Sequence, residues 1–100
     1  MAYGIVLEFG RDVTKAQYDA VNEKLGIDVA KGTGEWPAGI RSHAGGTTPE
    51  GFCVFEVWDS KAEQEAWMAG RLGAALGAVG VSAPTRVTEL EITGFATPNA

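Results

Sequence analysis

Residues 52–58, FCVFEVW, have no side that can be left to water. Read as a strand, they put Phe52, Val54 and Trp58 on one face and Cys53, Phe55 and Val57 on the other. A strand apolar on both faces needs a covering layer over each. The segment YGIVLEF (3–9) imposes the same condition, with Tyr3, Ile5, Leu7 and Phe9 sharing one face and Val6 beside Glu8 on the other. Gly10 closes this strand. Whatever architecture holds these two segments must therefore supply cover above and below the sheet.

The remaining elements supply half of that cover. In DVTKAQYDAVNEKLG, Thr14 and Gln17 have capping-box spacing. Val13, Gln17, Val21 and Leu25 recur at fours with Ala16 and Ala20 beside them, so the spacing predicts a helix over 14–25 ended by Gly26. Residues 26–39, GIDVAKGTGEWPAG, show no sustained period and read as a loop, with Trp36 as either a core anchor or a pocket wall. IRSHAGG (40–46) and FCVFEVW, joined across GTTPEG, form a hairpin. A second helix starts at Ser60, with Glu63 at capping-box distance, and runs to about residue 79. Its stripe is Trp67, Leu72, Leu76 and Val79. Gly70, Gly73 and Gly77 each weaken it by up to about 1 kcal/mol relative to alanine, which predicts a close approach to another element or a loosened end. After SAP (82–84), TRVTELEIT alternates as a fourth strand, and GFATPNA reads as a frayed end or an arm laid across a neighbour.

The order is β-α-β-β-α-β, the split βαβ arrangement of ferredoxin-like α+β folds with a four-stranded antiparallel sheet. Two helices cover one face of such a sheet, so the apolar second face predicts a homodimer formed sheet against sheet. One hundred residues make a single domain spanning 1–100.

Composition narrows the function classes. A 45% hydrophobic, 21% charged chain is neither disordered nor membrane-spanning in character. The apolar runs fall far short of the roughly 20 residues a membrane helix needs. MAYGIVLEFGR does not read as a signal peptide, and the expected location is the cytoplasm. The net charge of -5 gives no footprint for nucleic acid. Cys53 is the only cysteine and reads as a small apolar strand residue, and with a single histidine no zinc site is expected. Neither a GxGxxG, a P-loop nor a G-x-S-x-G elbow is present, and no cofactor is expected.

What remains is a pocket for a small organic ligand. Tyr18, Trp36, Trp58 and Trp67, with Phe52 and Phe55, could line it as substrate-binding residues, although Trp58 and Trp67 fall at positions that the strand and helix periods also bury in an ordinary core. His43 is the catalytic candidate. Strand alternation puts Arg41 on its face, where a guanidinium disfavours the charged imidazole and joins the substrate-binding set. The alternative is a structural histidine bonded across the hairpin or the dimer interface. Glu8, Glu56, Glu89 and Glu91 are strand carboxylates that could orient His43 or pair with Arg41.

The run GIRSHAGGTTPEGFCVFEVWDSKAEQEAWMAGRLGAAL, after TKAQYDAVNEKLG, resembles the small dimeric α/β-barrel proteins of the antibiotic-biosynthesis-monooxygenase type. Their bacterial members of this length share a strand with HAAG or HVAG, an EVW or DVW strand end, a DS or ES helix start and an RLGPAL-like helix end. The resemblance covers residues 4 to 93 and implies a ferredoxin-like fold whose two sheets close into a barrel in the dimer. Relatives include cofactor-independent quinone-forming monooxygenases, haem-degrading enzymes, isomerases and proteins without known activity. The haem-degrading branch carries an axial histidine on the second helix, and residues 60–79 have none. The quinone-forming branch relies on asparagine, tryptophan, tyrosine and arginine, whereas Asn22 reads here as exposed on the first helix. The resemblance thus implies a small-molecule-binding protein that is a monooxygenase-like or isomerase-like enzyme on a small aromatic metabolite, or a non-catalytic binding or accessory protein. A purely structural role would leave no cavity at all.

Overall fold

The two-sided apolar segments occupy the middle of the sheet. The structure, a computed structural model, describes residues 2–99, so Met1 and the final residue of the GFATPNA tail lie outside it. Strand β1 (Ala2–Phe9) runs antiparallel between β5 (Gly51–Trp58) and β6 (Arg86–Ile92), and β4 (Ile40–Thr48) pairs with the far side of β5. The strand order is β4-β5-β1-β6, as the split βαβ pattern requires. Among the described residues the only other strands are two short ones, β2 (Ile27–Asp28) and β3 (Thr33–Gly34), which pair within the segment read from sequence as a loop.

Helix α1 (Lys15–Leu25) begins and ends as its signals predict. Thr14 and Gln17 form the reciprocal capping box, and Gly26 closes the helix in the left-handed conformation, with φ of 74°. The second helix is not continuous. It consists of α2 (Lys61–Trp67), capped by Ser60, a π-helical turn over Met68–Leu72 with non-helical backbone at Gly70, and α3 (Gly73–Val79). Arg71, in the π turn, stacks its guanidinium 4.9 Å from the Trp67 ring and donates from Nη2 to the Leu25 carbonyl at 2.7 Å. The break thus turns an arginine back onto an otherwise unbonded carbonyl at the end of α1.

The core lies between the sheet and these helices. Ile5, Leu7 and Phe9 from β1 and Phe52, Val54 and Trp58 from β5 meet Val21, Leu25, Trp67 and Leu76. On the other face, Gly4 has no side chain, and Leu90 and Ile92 lean over it so closely that a Cβ there would lie 2.7–3.0 Å from their carbons. Phe55 and Leu90 on this face remain 38% and 40% exposed.

Gly51 opens β5 with φ of +146°, and a Cβ would lie 2.4 Å from the Phe9 carbonyl oxygen. Gly51→Ala is therefore expected to cost at least about 1–3 kcal/mol through strain alone. A urea midpoint unchanged from the parent chain would refute this.

Candidate functional site

His43 is placed by β4, opposite Glu56 of β5 and facing the helices. Its neighbours differ from those that simple alternation predicts, because the β4/β5 register shifts between Ile40 and Ser42: Ile40 is opposite Trp58, and Ser42 is opposite Val57. Such a bulge flips every later side chain relative to those before it. His43 consequently shares the helix-facing side with Ile40, which packs on the core, and not with Arg41. Arg41 is exposed and forms an ion pair with Asp59, its side chain remaining 56% accessible. The expectation that Arg41 sits beside the imidazole is corrected by this one-residue shift.

Four side chains instead form a continuous polar line. Trp58 Nε1 donates to Glu56 Oε1 at 3.1 Å, Glu56 Oε2 lies 2.8 Å from His43 Nδ1, and His43 Nε2 lies 2.5 Å from the Tyr18 hydroxyl. The His43 and Glu56 side chains are only 8% and 5% exposed. A carboxylate can only accept, so Nδ1 carries the proton of that bond, and when the ring is neutral Nε2 accepts from the phenol. Every member of the line is hydrogen-bonded, which is what permits a carboxylate to sit in the core.

Tyr18 reaches His43 from α1 across the sheet. Its ring packs against Phe52 at 4.6 Å between centroids and passes over the bare backbone of Gly45. Burial pushes the phenol pKa up, the Asn22 amide beside it lowers it, and the Glu56 charge raises it. Asn22 is buried rather than exposed, one helical turn after Tyr18.

Tyr18, Asn22, Trp36, His43, Glu56 and Trp67 all line an apolar cavity of about 50 Å³ between sheet and helices. A groove of about 370 Å³ lies outside, bordered by Val29, Gly32, Trp36, Ile40, Arg41 and His43. The two spaces meet at Trp36, Ile40 and His43. Trp36 stands edge-on to the imidazole at 5.5 Å, and its Nε1 donates to the Thr33 carbonyl at 3.0 Å, which ties the indole to the β2–β3 hairpin. Ligand pockets commonly enclose about 300–1,000 Å³, a range that the groove reaches and the cavity by itself does not.

The geometry thus brings together Tyr18, Trp36, His43 and Trp67 of the residues singled out in the sequence. Arg41 is left at the groove rim, and Trp58 lies outside the cavity lining, 1% exposed, holding Glu56 from behind. Two site residues escaped a firm assignment. Glu56 was one of four strand carboxylates, although its parity with Phe52, Val54 and Trp58 marks it as the one that faces the core. Asn22 follows Tyr18 by four residues, the spacing of a shared helix face. Among the described residues, no group of three or more His, Cys, Asp or Glu side chains converges as a metal cage would, and no helix is long and apolar enough to cross a membrane.

The sheet order and the paired helices define an α+β ferredoxin-like fold. No family model matches the chain, and no curated protein is significantly similar to it. Solved structures are similar over nearly the whole length. A Chloroflexus aurantiacus protein described as an antibiotic biosynthesis monooxygenase is 20% identical, with a TM-score of 0.65 over 97% of this chain and 98% of that one. SnoaB, a cofactor-independent oxygenase from Streptomyces nogalater, is 14% identical, with a TM-score of 0.55 over 99% and 98%. A dimeric ferredoxin-like protein of unknown function from Jannaschia sp. CCS1 is 14% identical, with a TM-score of 0.56 over 91% and 98%. At these identities the likeness is one of fold.

Proposed function

We propose that this protein binds a small, flat organic molecule in the groove and cavity and acts on it by proton transfer, with His43 as the proton acceptor. The observation that carries this reading is the buried Glu56–His43 pair at 2.8 Å, which sets the imidazole tautomer with Nε2 turned towards the cavity. Proton transfer of this kind suits an isomerase-like reaction. It also suits a cofactor-independent oxygenation, the activity of the Streptomyces nogalater structural neighbour, whose first requirement is a substrate anion. We place the working unit as a homodimer closed through the open sheet face, on the strength of exposed Phe55 and Leu90 and the dimeric neighbour of the same fold.

A second reading has a specific observation in its favour. Both imidazole nitrogens are already bonded within the chain, as suits a protein that binds its ligand and releases it unchanged. The test is a screen of small aromatic metabolites by thermal shift, followed by mass spectrometry of each stabilising compound after incubation. Conversion that falls about 10²–10⁴-fold in His43→Gln, with the fold intact, supports the catalytic reading. Stabilising compounds recovered unchanged establish the binding reading instead.

A further inference from the structure

We propose that Tyr18, and not the imidazole, is the group that meets the substrate, its phenol passing the substrate's proton back to His43. This rests on the proton-transfer reading above and adds the residue in contact. The argument starts from saturation. His43 Nδ1 is bonded to Glu56 at 2.8 Å and Nε2 to the Tyr18 hydroxyl at 2.5 Å, so neither ring nitrogen is free for a ligand. Glu56 is in turn held by Trp58 at 3.1 Å. The line has two ends, the fully buried Trp58 and the half-buried Tyr18, and the Tyr18 oxygen keeps acceptor capacity after donating to Nε2.

The step balances without an oxidant or reductant. A C–H or O–H proton of the substrate goes to the Tyr18 oxygen while the Tyr18 proton moves to His43 Nε2, leaving a substrate anion and an imidazolium beside the Glu56 carboxylate. Return of both protons, the last to a different substrate atom, completes an isomerisation. Asn22, one helical turn after Tyr18 on α1 and lining the same cavity, is placed to stabilise negative charge on the Tyr18 oxygen as the two protons move. Gly45 is the positioning residue: a Cβ there would lie 2.8–3.0 Å from the Cζ, Oη and Cε1 atoms of Tyr18, so only a glycine lets the ring lie flat enough to reach His43. The substrate class is therefore a small carbon or oxygen acid, such as an enolisable carbonyl compound or a phenol.

The experiment needs no knowledge of the natural substrate. A tyrosine backed by a histidine base is an activated nucleophile, and 4-nitrophenyl acetate reports it: the Tyr18 oxygen bonds the acetyl carbon, the Tyr18 proton goes to His43, and 4-nitrophenolate leaves. Peptide mass spectrometry of the full chain should find acetyl on Tyr18 at least about ten-fold sooner than on Tyr3, the only other tyrosine. His43→Gln and Gly45→Ala should each slow labelling of Tyr18 and leave that of Tyr3 unchanged, and Tyr18→Phe should remove the nitrophenolate burst. A purely structural tyrosine would show none of this. Acetyl on His43, or a burst that survives Tyr18→Phe, would overturn the proposal while leaving His43 as a base in direct contact. Labelling of Tyr18 no faster than Tyr3 overturns it too. The metabolite screen judges the underlying reading separately.

Discussion

Glu56→Ala is expected to destabilise the protein by about 3–5 kcal/mol, because it strands two buried donors at about 1–3 kcal/mol each and leaves a void where the side chain stood. The carboxylate is 5% exposed and holds two donors, His43 Nδ1 and Trp58 Nε1. Truncation strands both in a site closed to solvent, and it opens a void against Trp58, one of the most deeply buried side chains in the protein. Glu56→Gln separates the structural role from the chemical one. Glutamine is isosteric, but its amide nitrogen cannot accept, so one contact survives only if the imidazole changes tautomer, with the proton moved from Nδ1 to Nε2. Tyr18 would then face a donor instead of an acceptor. Urea unfolding should show a much smaller loss for Glu56→Gln than for Glu56→Ala, and nitrogen NMR of His43 should show the switched tautomer. A Glu56→Ala protein within 1 kcal/mol or so of the parent would mean that the line contributes little to the fold.

Phe55→Glu should convert a dimer into a monomer. Phe55 and Leu90 are exposed on the sheet face that no helix covers, and Leu90 lies with Ile92 over Gly4 next to them. Two-fold symmetry places any substitution in such an interface twice, so the carboxylate would be buried twice. The cost is several kcal/mol per unpaired ion, which weakens association by at least about a hundred-fold. Light scattering after size exclusion should give twice the 10.5 kDa chain mass for the parent and a single chain mass for Phe55→Glu. A variant that keeps the dimer mass would move the interface elsewhere, and a parent at single chain mass would remove it.

The element order was legible because each element carries its own local signal. Thr14 with Gln17 starts α1, Gly26 ends it, and period-two runs mark β1, β4, β5 and β6. The three glycines of residues 70–77 foretold a weakened helix, and the break is at the first of them. The short β2–β3 hairpin was not legible, since two-residue strands show no period.

The site was only partly readable. His43, Tyr18, Trp36 and Trp67 could be singled out as polar or aromatic groups on the appropriate elements, but their convergence depends on which residues of β4 and α1 face each other. Alternation assigns faces correctly only while the register holds, and the bulge between Ile40 and Ser42 replaced Arg41 with Ile40 on the face of His43. Local periodicity therefore determined the fold, because helix and strand periods are properties of neighbouring residues. The partners of His43 were decided by tertiary structure alone: Tyr18, 25 positions earlier, and Glu56, 13 positions later, reach it only when α1 lies across the sheet and the β4–β5 register is set. No sequence period carries the relative placement of separate elements, which comes from packing.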